Sequence, residues 1–194
     1  GGGTVFEPII DYCEPGTRVG IIGVGGLGTA AIRLSSLVGG VVTAFSRSPE
    51  KKNACLEDGA SEFVLSSSTE DMAKLKGTLD LLIDATPVNI DISQWLDMLA
   101  PNGVLCKVGL PPSTDSSFQY NWPPLIFQQK KIVGSVVTGT ARTKLMLDLA
   151  SQNQKVFANR PGWSTEVMPF EKLNEAMEAL KNSKNAGFRI LLKW

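Results

Sequence analysis

Arg18-Val19-Gly20-Ile21-Ile22-Gly23-Val24-Gly25-Gly26-Leu27-Gly28 decides the fold. The part up to Ile22 is a short, nearly uninterrupted apolar run of strand length, as a parallel strand buried on both faces requires. From Leu27 onward, Ala30, Ala31, Leu34, Leu37 and Val38 recur at three- and four-residue spacing, which describes one face of a helix that Gly39-Gly40 ends. Between them Gly23-x-Gly25-Gly26-x-Gly28 fits GxGxxG. The pattern is weak alone and gains meaning from its place between a buried strand and an amphipathic helix. Gly23 permits a tight turn, Gly25 lets backbone approach a pyrophosphate, and Gly28 allows the helix to pack closely on the strand. The helix N-terminus offers free N–H groups to the phosphates.

Working outward, the alternation of strand and helix continues. Strands are expected at Val41 to Phe45, Phe63 to Leu65, Leu79 to Ile83, Gly103 to Val108 and Lys131 to Val137. Helices are expected from Pro49 behind an N-cap at Ser48, over Thr69 to Leu75, over Ile92 to Leu99 and over Arg142 to Ala150. Pro111 to Pro124 reads as a surface loop. Six strands separated by helices predict an α/β fold with a doubly wound, six-stranded parallel sheet. The rhythm then changes to a short strand at Glu166 to Met168, a helix over Glu171 to Leu180 and a strand at Phe188 to Leu192, a β-α-β unit too small to hold a core alone. The expected division is a dinucleotide-binding domain over 1–155 and a segment of a second domain over 156–194.

Composition narrows the function. With 19 Lys+Arg against 19 Asp+Glu in 194 residues, no net field favours nucleic acid or an anionic membrane surface, and no apolar run approaches the roughly 18 residues that span a bilayer. A cytoplasmic location and a small-molecule partner are expected. Cys13, Cys55 and Cys106 show no CxxC pairing and read as reduced thiols. The chain contains no histidine, so a Ser-His-Asp triad is impossible; Gly-x-Ser-x-Gly is absent. The Tyr-x-x-x-Lys pair of short-chain dehydrogenases is absent too, because Gly16 follows Tyr12 and Pro124 follows Tyr120 at that spacing.

The end of the second strand is where an acidic residue would hold the adenosine ribose of NAD. Here the sequence is Phe45-Ser46-Arg47-Ser48. Without a carboxylate nothing repels a 2′-phosphate; Arg47 offers a planar donor fork, Ser46 a hydroxyl and Lys51 a second cation. The ordinary alternative is that Arg47 and Lys51 are solvated surface charges. Charge complementarity favours NADP(H) as cofactor.

These features together resemble the medium-chain, zinc-type alcohol dehydrogenases, most of all the cinnamyl alcohol dehydrogenase group. The resemblance is carried by Thr4 to Pro8, Val19 to Gly28, Val41 to Lys52, Gly59-Ala60, Leu79 to Asp84, Gly103 to Pro111, Lys131 to Ser135 and Pro169 to Leu192. It implies a Rossmann cofactor domain followed by a C-terminal return into the catalytic domain. It places Thr4 and Leu27 beside the nicotinamide, with main-chain groups of Val108, Leu110, Ser135 and Val137 near the ring or its carboxamide. Arg189 corresponds to an arginine that reaches the pyrophosphate; its plainer alternative is an exposed cation on an edge strand.

In that family a catalytic zinc is held by Cys, His and Cys of a preceding N-terminal domain. By the same correspondence the last of those cysteines would stand immediately before Gly1. The chain opens Gly1-Gly2-Gly3 and its first methionine is Met72, so an upstream segment is expected. No catalytic or metal-ligating residue is therefore expected within this chain, and the chain alone is expected to be inactive toward alcohols and aldehydes. The resemblance also implies a homodimer through the strand Ile132 to Val137. A second class remains open, a catalytically inactive nucleotide-binding or scaffold subunit of a larger assembly.

Overall fold

The computed structural model describes residues 2–111, 122–157, 166–182 and 190–194. Six strands, β1 (Arg18–Ile22), β2 (Val41–Ser46), β3 (Glu62–Leu65), β4 (Leu79–Asp84), β5 (Leu99–Lys107) and β6 (Lys131–Gly134), form one sheet in the order β3-β2-β1-β4-β5-β6. Every pairing is parallel. Chain order reverses between β1 and β4, which opens a crevice at their carboxyl ends. β7 (Glu166–Pro169) and β8 (Ile190–Lys193) pair with each other in a separate two-stranded parallel sheet. The last strand is observed from Ile190; Phe188 and Arg189 lie outside the described residues.

Alternating strand residues feed two cores. On one face, Val19, Ile21, Leu81 and Ile83 pack with Ala31, Ile32 and Leu34 of α2 (Gly26–Leu37) and with Val5, Phe6 and Ile9 of α1 (Gly2–Tyr12). On the other, Ile22, Phe45 and Leu82 meet Met72 of α4 (Thr69–Lys74) and Trp95 and Leu96 of α5 (Ile92–Met98). Phe45 and Trp95 make an edge-to-face contact with centroids 5.0 Å apart.

Three expectations are corrected, and one further element had not been expected. The N-terminal stretch, to which sequence periodicity assigned no element, is the helix α1 despite Pro8 within it. A proline cannot donate to the carbonyl four residues back, here that of Thr4, and the Ser135 hydroxyl donates to that oxygen instead at 3.1 Å. The stretch from Trp122, expected as loop through Pro124, is helix α6 (Trp122–Phe127), its prolines confined to a first turn where N–H groups lack intrahelical acceptors anyway. β5 begins at Leu99, not Gly103: its pairing with β4 jumps from Leu79↔Leu99 to Leu81↔Val104, and Asn102 sits at φ 65° in the looped-out segment. β6 ends at Gly134, so Ser135, Val136 and Val137 continue beyond the ladder.

The first turn after β2 is a 3₁₀ turn, Pro49–Lys51, leading into α3 (Lys52–Glu57). Beneath it, Arg33 of α2 forms an ion pair with Asp58 at 2.8 Å; both side chains are nearly fully buried. Removing one partner of such a pair strands a buried charge, whereas replacing both does not. Asp58→Ala is expected to lower unfolding free energy by about 3–5 kcal/mol, measured by urea denaturation. The double change Arg33→Met/Asp58→Leu should recover most of that loss.

Candidate functional site

A cleft of about 450 Å³ lies where the strand order reverses, walled by Gly23 to Gly25, by Phe45 to Ser48 with Lys51, and by Ala85 to Ile90. Its floor is a meeting of backbones. Gly23 adopts φ +85°, a left-handed conformation suited to glycine, and its N–H donates to the Phe45 carbonyl at 3.0 Å. A Cβ on Gly23 would stand 2.6 Å from Cγ2 of Thr86. A Cβ on Gly28 would collide with the Gly23 carbonyl, and one on Gly109 with the Thr86 carbonyl. Gly26 differs: nothing lies within 4 Å of where its Cβ would be.

Gly25 is the extended N-cap of α2, and Thr29 N–H donates to its carbonyl at 2.8 Å. The N–H groups of Gly26, Leu27 and Gly28 precede that first intrahelical bond and point out of the helix end. The turn thus fits a phosphate cradle: donors, a positive dipole end and open space at Gly26.

The adenosine side fits equally. Ser46 is buried and its Oγ accepts from Ser48 N–H at 3.1 Å, which curls the chain back along the cleft wall. Arg47 is exposed at the lip. Lys51 is buried, and its Nζ donates to the Val24 carbonyl at 3.0 Å, fastening the glycine turn to the start of α3. Burial pushes its pKa down, an effect partly opposed by Glu50. The cation displayed to solvent is Arg47; Lys51 acts within the wall.

Gly23, Gly25, Ser46, Arg47 and Lys51 are therefore brought together around one cleft. Leu27 and Val108 both pack at the margin of the α1/α2 core, and Val108 N–H donates to the Asp84 carbonyl at 2.9 Å. Thr4 and Ser135 are joined by the bond described above. Leu110 and Val137 project outward, 88% and 77% exposed. Arg189 lies outside the described residues.

Sequence reading missed Asp84, Thr86 and Lys107. Asp84 is buried at the end of β4; its Oδ1 accepts from Thr86 N–H (2.9 Å) and Thr86 Oγ1 (2.6 Å), and its Oδ2 from Lys107 Nζ (2.6 Å). The partners stand 23 residues apart on neighbouring strands, so only strand register relates them.

For a metal the donor set does not fit. Among the described residues no three His, Cys, Asp or Glu side chains converge to hold an ion. Burial pushes the Cys55 and Cys106 thiols up to about 12, against the thiolate that zinc requires. No step through a metal is assigned to these residues. Among the described residues no helix is long and apolar enough to cross a membrane.

Six parallel strands in this order, with a glycine turn at the reversal, define a Rossmann-type α/β domain. Residues 26–152 match the family model of zinc-binding dehydrogenases, and the chain belongs to that family. It is 35% identical over 185 residues to a mannitol dehydrogenase of Apium graveolens, covering 94% of this chain and 48% of the relative. Its fold is similar to a cinnamyl alcohol dehydrogenase of Sorghum bicolor, with TM-score 0.82 and 30% identity over 98% of this chain and 52% of that one. It is similar also to CAD from Helicobacter pylori complexed with NADP(H), with TM-score 0.81 and 26% identity, again covering 98% and 52%. The chain spans about half the length of the curated relatives it matches.

The turn's geometry separates two glycines that look alike in sequence. Gly28→Ala should destabilise the fold by about 1–3 kcal/mol through overpacking. Gly26→Ala should leave it unchanged or more stable by about 0.4–1 kcal/mol. Urea midpoints of the two variants against the parent check this.

Proposed function

We propose that this chain forms the NADP(H)-binding part of an oxidoreductase that interconverts alcohols and aldehydes, residues 1–155 being the dinucleotide domain and 156–194 a segment of the substrate domain. The observation that carries the cofactor reading is the end of β2: Ser46 stands where an NAD-binding site would carry a carboxylate, and exposed Arg47 follows it at the lip of the cleft. The similarity to CAD from Helicobacter pylori complexed with NADP(H) supports the same choice.

The hydride chemistry comes with the dinucleotide when it is bound. The chain's own part is placement. N–H groups at the start of α2 and the open face of Gly26 receive the pyrophosphate; Arg47 and the Ser46 hydroxyl meet the 2′-phosphate, with Lys51 securing the turn behind them. In this reading Thr4, Leu27, Val108, Leu110, Ser135 and Val137 lie toward the nicotinamide, and Arg189 reaches the pyrophosphate. Polarisation of the substrate oxygen belongs to a zinc held by a preceding domain, so this chain alone binds NADPH without turning over alcohols or aldehydes. The reading extends to a cytoplasmic homodimer in which β6, the last strand of the sheet, meets its symmetry mate.

Titration with NADPH and NADH tests the cofactor assignment. The parent chain should bind NADPH more tightly, and Arg47→Asp should weaken NADPH by roughly tenfold or more while improving NADH, since it removes a charge-assisted bond and adds a carboxylate. Equal affinity of the parent for both cofactors would remove the assignment.

A further inference from the structure

We propose that Lys107 is a positioning residue that fixes the 86–90 segment as a wall of the nucleotide cleft. This deepens, and rests on, the reading of that cleft as an NADP(H) site.

Lys107 is the last residue of β5 and does not itself line the cleft. Its Nζ reaches across to β4 and finds an acceptor for each of its three N–H groups: Asp84 Oδ2 at 2.6 Å, Thr86 O at 2.9 Å and Val88 O at 3.2 Å. Asp84 is only 2% exposed and its other oxygen is filled by Thr86. The ammonium therefore does two jobs. It balances a buried carboxylate, and it gathers two loop carbonyls, those of Thr86 and Val88, onto one point.

Those carbonyls belong to residues that line the same cleft as Ser46 and Arg47. Thr86 is further confined by the close approach of Gly23 and Gly109, but Pro87 to Asn89 are exposed. Lys107 ties the exposed part to β5 through the Val88 carbonyl, which also stands 3.3 Å from Thr86 Oγ1, while Ile90 packs against the second core. A nucleotide entering a preset wall loses no free energy to ordering it, whereas a loose wall must be ordered at each binding event.

The test uses Lys107→Met and Asp84→Asn/Lys107→Met, each with three readouts: urea unfolding, hydrogen exchange of the Thr86, Val88, Asn89 and Ile90 amides without ligand, and NADPH affinity by fluorescence. Lys107→Met leaves Asp84 charged and unpaired and should be destabilised. The double variant removes the stranded charge and should regain stability, so the decision does not depend on the single variant folding. In both, exchange at 86–90 should quicken and the NADPH Kd should rise, each by roughly tenfold, with β1 and β4 amides unchanged. Restoration of the parent's exchange rates or NADPH affinity in the double variant would overturn the proposal, because Lys107 would then serve only to neutralise Asp84. If the parent chain itself fails to bind NADPH, the cofactor reading falls, while the exchange rates still decide whether Lys107 holds the wall.

Discussion

Three backbones meet around Thr86 with no room for a side chain between them. Gly23 presses on its methyl group, Gly109 on its carbonyl, and Gly28 on the carbonyl of Gly23 in turn. This contact sets the distance at which α2 leaves β1, and hence where the helix N-terminus points. It also packs the segments that follow β1, β4 and β5 against one another at the base of the crevice created by the strand order. Gly26, by contrast, has nothing within 4 Å of where its Cβ would stand.

Three lysines fasten neighbouring segments by their main chain. Lys51 donates to the Val24 carbonyl, Lys107 to those of Thr86 and Val88, and Lys130, also buried, to that of Leu96 near the end of α5 at 2.5 Å. Burial pushes the pKa of Lys51 and of Lys130 down, and in both cases a carbonyl acceptor replaces the lost water. Carbonyls suit this use because they are present at every residue, so a loop can vary in sequence while the fastening persists. Long flexible side chains reach them without dictating what the loop's own side chains do.

Much of the sheet was legible in the sequence, since strands buried on both faces must read as continuous apolar runs, and β1 and β4 do. The cleft was legible in part: Gly23, Gly25, Ser46, Arg47 and Lys51 announce themselves by spacing from β1 and β2. What stayed hidden depends on partners distant in the chain. α1 looks broken at Pro8 until Ser135, 131 residues away, supplies the missing donor to Thr4. β5 looks short because its first residues pair out of register with β4, and β6 looks long because its apolar run outlasts its ladder. Lys51 reads as a second cation for the cofactor, and its bond to the Val24 carbonyl shows only once the glycine turn is folded beside it. Lys107 carries no signal of its own, since a lysine at a strand end is ordinary until register sets it beside Asp84.

The strand order also has a consequence for how the chain must be made. β1 finds its first neighbour, β2, soon after it is synthesised, but its other neighbour is β4, and the pair Arg18 and Asp80 that bonds across their starts is separated by 62 residues. At a translation rate of about 5–20 residues per second, one flank of this central strand waits about three to twelve seconds for its partner. In the final sheet β1, β2 and β3 are neighbours, so a ribbon of these three without β4 has the run Val19 to Ile22 as its open side. Arg18, charged and placed at the head of that run, is the only residue on β1 with the character that discourages another nascent chain from pairing there first.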